Sequence, residues 1–328
     1  MASRRSRILV TGGSGFVGRA LVRLLAPEHD LLVLDTLHFG AQRFSVAEQA
    51  QMTLLRGDIR DAAVVAHAID TFMPEIILHL AAIHFIPECD RDPLGALAVN
   101  LSGTVNLLRT APTGCRFLLA SSGAVYRPDA RPHVEERSAL GPTDLYGLTK
   151  LQAEQYLAHF AAARNLVGIA VRLFNVVGPG ETNPHLVPEI VSQLKAGRRQ
   201  VQLGNLWPRR DYIHVDDAAA GLAALAFGGA VAPGTWLPVN LGTSHCHSVA
   251  EILEKMRAIA GFDFEVTRDP ERSRAVDRPF LAADISRIRK RFGWQPARTL
   301  DDGLRDLWQE PDFGPHLLRR AAEPAGVG

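Results

Sequence analysis

The segment Thr11-Gly12-Gly13-Ser14-Gly15-Phe16-Val17-Gly18 stands directly behind the apolar run Ile8-Leu9-Val10. It reads as a strand feeding a glycine-rich turn that opens a helix over Gly15–Leu25. Gly12 permits the tight turn, Gly15 lets the backbone approach a pyrophosphate, and Gly18 lets the helix pack on the strand. Free N–H groups and the positive end of the helix dipole then face the phosphates. Glycine turns also join strands to helices with no ligand, so the meaning rests on the residues downstream. A second apolar run, Leu31–Leu34, ends in Asp35. An acid roughly 20 positions after the first glycines is where a ribose hydroxyl pair is held. Asp35 also disfavours a cofactor with a 2′-phosphate, because two anions would meet. Gly57-Asp58-Ile59 follows a third apolar run and brings Asp58 toward an adenine amino group; Asp61 reads as the N-cap of the next helix.

Short apolar runs alternate with helix-length stretches through the first half. The runs are Ile8–Val10, Leu31–Leu34, Thr53–Leu55, Ile76–Leu80, Arg116–Ala120 and Gly168–Leu173. Helices are expected at Gly15–Leu25, Ala62–Thr71, Leu94–Arg109 and Tyr146–Arg164. This pattern predicts an α/β fold with a doubly wound parallel sheet covered on both faces. Ligands on such sheets bind at the carboxyl ends of the strands. Asp35, Asp58, Ala81, Ser122 and Asn175 all fall at that edge. After Asn175 the alternation loosens, and a smaller, discontinuous C-terminal α/β lobe is expected. The division is residues 1–174 and 211–243 for the dinucleotide domain, and 175–210 and 244–328 for the lobe. Ser248 with Glu251 has the pattern of a capping box, and Gly293–Trp308 reads as one last helix.

The 328 residues are 47% hydrophobic with a formal charge of +1, enough for a large core and two domains. Such a balance gives no reason to expect a nucleic acid or an anionic membrane as partner. Cys89, Cys115 and Cys246 are odd in number and far apart, which fits a reducing compartment. The basic start is followed by an apolar run too short for a signal sequence, and no stretch approaches a membrane span. A soluble cytoplasmic protein is expected. His245-Cys246-His247 invites a metal reading, but no second ligand cluster stands near, and no metal is expected.

Tyr146-Gly147-Leu148-Thr149-Lys150 opens a helix, so Lys150 stands one turn from Tyr146 on the same face. A nearby ammonium favours the phenolate, and a tyrosinate is a competent base for an alcohol proton. The stretch Ala120-Ser121-Ser122-Gly123-Ala124-Val125-Tyr126 follows an apolar strand, where a serine can share that proton. Together with His79-Leu80-Ala81-Ala82, Asn100, Arg172-x-x-Asn175 and Arg210-Asp211-Tyr212-Ile213-His214-Val215-Asp216-Asp217, these pieces resemble the extended short-chain dehydrogenase/reductase family. Its relevant members are the NAD-dependent epimerases and dehydratases of nucleotide sugars. The resemblance runs from about Arg7 to about Trp308.

The resemblance implies roles by position. Tyr146 is the base, Lys150 binds the nicotinamide ribose and tunes it, and Ser122 shares the sugar hydroxyl. Gly12, Gly15, Phe16, Val17, Asp35, Asp58, Ile59, Leu80 and Ala82 line NAD. Asn175 and Arg210 contact the substrate diphosphate. His185 and Leu186 wrap the nucleotide, Arg274 and Asp277 stand at its far end, and His84 is a pocket candidate. The family also implies a homodimer through helices 94–109 and 146–164. Family dehydratases carry an acidic pair after the catalytic serine; here those positions are Gly123 and Ala124. A 4-epimerase needs no such acid, and is the first reading. A 4-ketoreductase, a 4,6-dehydratase, a uronic-acid decarboxylase and a non-catalytic NAD sensor are the alternatives. Cys89, Pro87, Glu88 and Arg127 depart from the family pattern.

Overall fold

The computed structural model describes residues 5–38, 44–181, 183–270 and 278–311. Its main sheet takes strands β1 (Arg7–Thr11), β2 (Asp30–Asp35), β3 (Thr53–Arg56), β4 (Ile76–His79), β5 (Arg116–Ser122) and β6 (Val167–Leu173). After three strands of the smaller lobe, β7 (Asn175–Val177), β8 (Gln200–Leu203) and β9 (Arg209–His214), the chain returns with β10 (Thr235–Leu241). The seven strands lie in the order β10-β6-β5-β4-β1-β2-β3 and all pair parallel. The direction of winding reverses between β1 and β4, which makes the carboxyl ends of these two strands the natural crevice.

Side chains alternate across the sheet and so feed two cores. Ile8 and Val10 point to one face, where α1 (Phe16–Leu25) supplies Leu21 and Leu25. Leu9 points to the other, where α3 (Ala62–Phe72), after the short α2 (Val46–Gln49), supplies Val65 and Ile69. The expected strands are all present. Asp61 caps α3 by accepting from the N–H groups of Ala63 and Val64. The helix expected over Leu94–Arg109 is not uniform. The chain runs through α4 (Ile86–Arg91) and α5 (Pro93–Leu97), then a π-helical turn (Ala98–Gly103), then α6 (Thr104–Thr110). α7 (Leu145–Arg164) agrees with its expected range to one residue.

The smaller lobe has its own core, with Val187 and Ile190 of α8 (Leu186–Lys195) packed near Ile252 and Met256 of α10 (Val249–Ala260). α9 (Val215–Phe227), between β9 and β10, packs instead on α1 in the main domain. β9 pairs with β7, with β11 (Cys246–Ser248) and with β13 (Phe280–Leu281), while β12 (Glu265–Arg268) pairs with β8. The Ser248–Glu251 capping box is formed. The last expected helix, Gly293–Trp308, starts seven residues late, and a further helix that was not expected stands before it. α11 (Ser286–Phe292) stops at Gly293, which takes a left-handed conformation, and α12 (Leu300–Gln309) starts from a second capping box at Thr299. Gly at the left-handed stop and Thr299-x-x-Asp302 at the restart are the local reasons.

Candidate functional site

A cleft of about 1290 Å³ runs along the carboxyl edge of the main sheet and continues into the smaller lobe. Every expected site residue among the described ones lines it: Gly12, Gly15, Phe16, Val17, Asp35, Asp58, Ile59, Leu80, Ala82, His84, Ser122, Tyr146, Lys150, Asn175, His185, Leu186 and Arg210. Arg274 and Asp277 lie outside the described residues.

The β1–α1 turn fits a dinucleotide on its own geometry. Gly12 has φ of 71°, and a Cβ there would stand 2.6 Å from the Ala81 nitrogen, so the turn is pressed against the chain leaving β4. At Gly15 a Cβ would meet only the Gly12 carbonyl, at 3.2 Å; glycine there leaves the cleft side open to an approaching ligand. No side chain caps α1 at this end, so its first N–H groups face the cleft without a side-chain partner. The Ser14 hydroxyl is buried and finds no hydrogen-bond partner among the described residues, as befits a group that waits for a ligand oxygen. Asp35 is held by two backbone donors, Ser14 N at 2.9 Å and Leu37 N at 2.8 Å. That fixes its carboxylate at the end of β2, where a ribose diol would lie. Asp58 is gripped by Arg60, through Nη2 at 2.6 Å and Nε at 2.9 Å; this hydrogen bonding keeps its carboxyl below the ordinary range.

Deeper in the cleft, α7 brings Tyr146 and Lys150 together. Asp144 caps the helix by accepting from Gly147 N at 2.7 Å. The Lys150 ammonium sits 5.8 Å from the centre of the Tyr146 ring. The Ser122 side chain, at the end of β5, acts on the phenol and favours its ionised form. Burial brings Lys150 down to about 8. The expected sign at Tyr146 is reversed. Burial pushes the phenol well above its usual value, the Ser122 side chain pulls it back only in part, and Cys89 and Asp144 add to the rise. Desolvation of the phenolate is the largest cause in the protein alone.

The same edge holds buried scaffolding that sequence reasoning did not separate from the chemistry. His79 bridges Thr11 Oγ1 at 2.7 Å and Thr104 Oγ1 at 2.8 Å. Asn100 clasps the backbone of Ile83 at both N and O, each at 2.9 Å, and donates to Thr149 at 3.0 Å. Glu154 of α7 receives a bidentate Arg172 at 2.9 and 2.7 Å and the Ser121 hydroxyl at 2.5 Å. Arg172 also donates to Tyr126, whose hydroxyl donates to Asn240. Ser121, Tyr126 and Arg172 are thus the rear wall of the Ser122 strand. Cys89 of α4 is buried, its thiol donating to the Ile83 carbonyl; Pro87 and Glu88 line the cleft.

On the lobe side, His84 and Asn183 are 3.0 Å apart, and the rings of His84 and His185 lie 5.9 Å apart, with Phe85 against His185. Arg210 projects from β9 and donates to the carbonyls of Arg209 at 3.0 Å and Arg278 at 2.7 Å. Sequence reasoning missed Arg278, Asn183, Phe85 and the Gln202–Leu203 edge, all of which line or adjoin the cleft. No local pattern marks Arg278 or Asn183, because long-range folding places them. In the His245-Cys246-His247 segment, His245 bonds its own loop through the Thr243 carbonyl and Cys246 donates to the Leu281 carbonyl.

Residues 8–234 match the family model described as the NAD dependent epimerase/dehydratase family. The chain is 30% identical to the UDP-glucose 4-epimerase of Lactobacillus helveticus, over 92% of this chain and 96% of that protein. It is 28% identical to the GDP-6-deoxy-D-mannose reductase of Pseudomonas aeruginosa, over 92% and 95%. The crystal structure of UDP-glucose 4-epimerase from Bifidobacterium longum in complex with NAD+ and UDP superposes with a TM-score of 0.82 at 26% identity, over 93% of this chain and 98% of that one.

Proposed function

Because the chain belongs to the NAD dependent epimerase/dehydratase family, we propose that it is an NAD-dependent 4-epimerase of a nucleotide-diphosphate sugar. The observation that carries this reading is the Ser122–Tyr146–Lys150 arrangement, with glycine and alanine rather than an acidic pair at the two positions after Ser122. A Cβ at Gly123 would stand 3.2 Å from the Phe174 ring, and Ala124 is buried. Neither residue carries a group that can move a proton, so the acid–base pair that dehydration uses is absent from these two positions. Phenol, hydroxyl and ammonium suffice for removing and returning one proton at a ring hydroxyl.

In this reading Tyr146 takes the proton of the C4 hydroxyl, with Ser122 sharing that oxygen and Lys150 holding the nicotinamide ribose and the charge balance. When bound, NAD would supply the acceptor, and then the donor, of the C4 hydride. Gly12, Gly15, Phe16, Val17, Asp35, Asp58, Ile59, Leu80 and Ala82 hold the cofactor. Asn175, His185, Leu186 and Arg210, with His84, hold the diphosphate and the nearby sugar, and Arg274 and Asp277 belong to the nucleotide end. If the 4-keto sugar turns before the hydride returns, C4 inverts. The domains divide as 1–174 with 211–243, and 175–210 with 244–328.

The first substrates to test are UDP-hexoses, since UDP-glucose 4-epimerases stand among the relatives. Conversion of UDP-galactose to UDP-glucose, read by the anomeric and C4 proton signals, is expected with no added cofactor. Tyr146→Phe should lose turnover by at least about 10²-fold while still carrying NAD; unchanged turnover ends the proposal. The likeness to a GDP-sugar reductase supports a second reading, in which cofactor is exchanged each cycle. Stoichiometric consumption of NADH with a 4-keto sugar would favour it. Exposed Leu94, Leu148 and Tyr156 on the 94–109 and 146–164 helices support a homodimer through that face, and sedimentation giving only a 35.7 kDa species would refute it. The free cysteines suit the cytoplasm, and no helix among the described residues is long and apolar enough to cross a membrane.

A further inference from the structure

Arg278 leaves the lobe just ahead of β13 and buries its side chain, 7% exposed, against the main domain. Its Nη1 donates to the Tyr126 carbonyl at 2.7 Å and reaches the Gly123 carbonyl at 3.5 Å; its Nη2 donates to the Ala124 carbonyl at 2.6 Å. The same Nη2 stands 3.7 Å from the Asp144 carboxylate. These partners fall into two groups. Gly123–Val125 is the single turn that directly follows Ser122, and Ser122 Oγ accepts from Ala124 N within it. Asp144 is the cap of α7, the helix whose first turns carry Tyr146 and Lys150. The two groups also touch each other, since a Cβ at Gly147 would fall 2.6 Å from the Ala124 carbonyl. One planar guanidinium therefore braces both halves of the Ser122–Tyr146 pair.

The backbone of Arg278 faces the other way. Its carbonyl accepts from Arg210 Nη1 at 2.7 Å, and Arg210 lines the diphosphate half of the cleft. We propose that Arg278 is a positioning residue that sets the Ser122–Tyr146 geometry and ties it to the diphosphate-binding side of the lobe. This rests on the reading of Tyr146 as the base. A fork of five donors matches three carbonyls and a carboxylate; an ammonium satisfies fewer of them and only as a point charge. A base misplaced by about 1 Å costs on the order of 10²-fold in rate.

The test compares Arg278→Gln, Arg278→Lys and Tyr146→Phe in the NAD-loaded protein, with C4 exchange of a UDP-hexose as assay and NAD content and melting temperature measured alongside. Arg278→Gln should lower kcat by about 10²-fold, leave KM within a few-fold, keep NAD, and shift the pH–rate limb that Tyr146→Phe abolishes. Arg278→Lys should recover part of kcat, and it carries the same readouts if the glutamine variant does not fold. A folded, NAD-loaded variant with unchanged kcat overturns the proposal. So does a loss of melting temperature and NAD with no movement of the pH limb in the protein that remains active. If Tyr146→Phe itself keeps full turnover, the parent reading fails instead.

Discussion

At the scale of single residues, the phenol of Tyr146 has the wrong ionisation for a base in the protein alone. Burial is the first cause, and the Ser122 side chain is the one local group that opposes it. Removing its hydroxyl therefore has a definite sign. The base must be ionised to act, so rate rises with pH through the group's titration. In Ser122→Ala the phenolate loses the hydroxyl that favours it, its pKa rises, and the rising limb of the kcat/KM profile moves to higher pH. The profile of the variant against that of the parent checks this, and a limb that stays put refutes it. Below the limb, a phenol that titrates one pH unit higher loses about tenfold in rate at fixed pH. A second single-residue effect concerns stability alone. Glu154 is 1% exposed and bonded to Arg172 and Ser121. Glu154→Leu leaves the Arg172 guanidinium buried without its counter-ion, which costs about 3–5 kcal/mol. Urea unfolding should show it as a lower midpoint with an unchanged slope.

At the scale of elements, most strands were legible because burial on both faces demands continuous apolar runs, which β1, β2, β4, β5 and β6 have, while the half-exposed edge strand β3 shows through Leu54-Leu55 alone. The glycine turn and the Asp35 position were legible for the same reason; they are local chemistry at fixed offsets from a strand end. The π-helical turn at Ala98–Gly103 was not. It sits where Asn100 turns inward to clasp the Ile83 backbone, a partner 17 residues away, and no periodicity reports such a tie. The late start of α12 had its signals, Pro296 and the Thr299–Asp302 box, inside the range Gly293–Trp308 read as helix, while the short α11 before it was not read at all. Arg278 and Asn183 were illegible because three-dimensional closure alone gives them partners. The π turn also bears on the cleft. A Cβ at Gly103 would fall 2.5 Å from Ile59 Cδ1, and Ile59 lines the dinucleotide half. Gly103→Ala is expected to cost about 1–3 kcal/mol through overpacking and to weaken NAD retention by displacing Ile59. Denaturant unfolding measures the first and cofactor content after gel filtration the second.

At the scale of the molecule, two buried histidines make the fold sensitive to acid. His79 is pressed down to about 3 by burial and then by Lys150. His133 is pressed down to about 4 by burial, then by Arg278, with Asp129 opposing and Arg172 adding to the fall. Both values lie below the ordinary 6.5. Between that value and the folded ones, the unfolded chain binds protons that the folded chain refuses. Stability is therefore whole above about pH 6.5 and falls as pH drops, by up to about 1.4 kcal/mol per pH unit for each group. His133 occupies the seam between the main sheet and the lobe. Its carbonyl accepts from Asn240 Nδ2 at 2.7 Å and from Asp284 N at 2.9 Å, and its N–H donates to the Ala282 carbonyl at 2.8 Å. Its ring stacks on Tyr126, centroids 4.4 Å apart, and neither ring nitrogen has a hydrogen-bond partner among the described residues. The ring thus contributes stacking and shape, while its nitrogens contribute an unmet polar cost. Phenylalanine keeps the first and removes the second. His133→Phe should be at least as stable as the parent at pH 7. Between pH 7 and pH 5 it should lose about 2 kcal/mol less than the parent does, with the remainder of the acid slope left to His79 and the carboxylates. Urea midpoints at the two pH values decide it: equal losses in parent and variant would show that protonation of His133 plays no part in opening the seam.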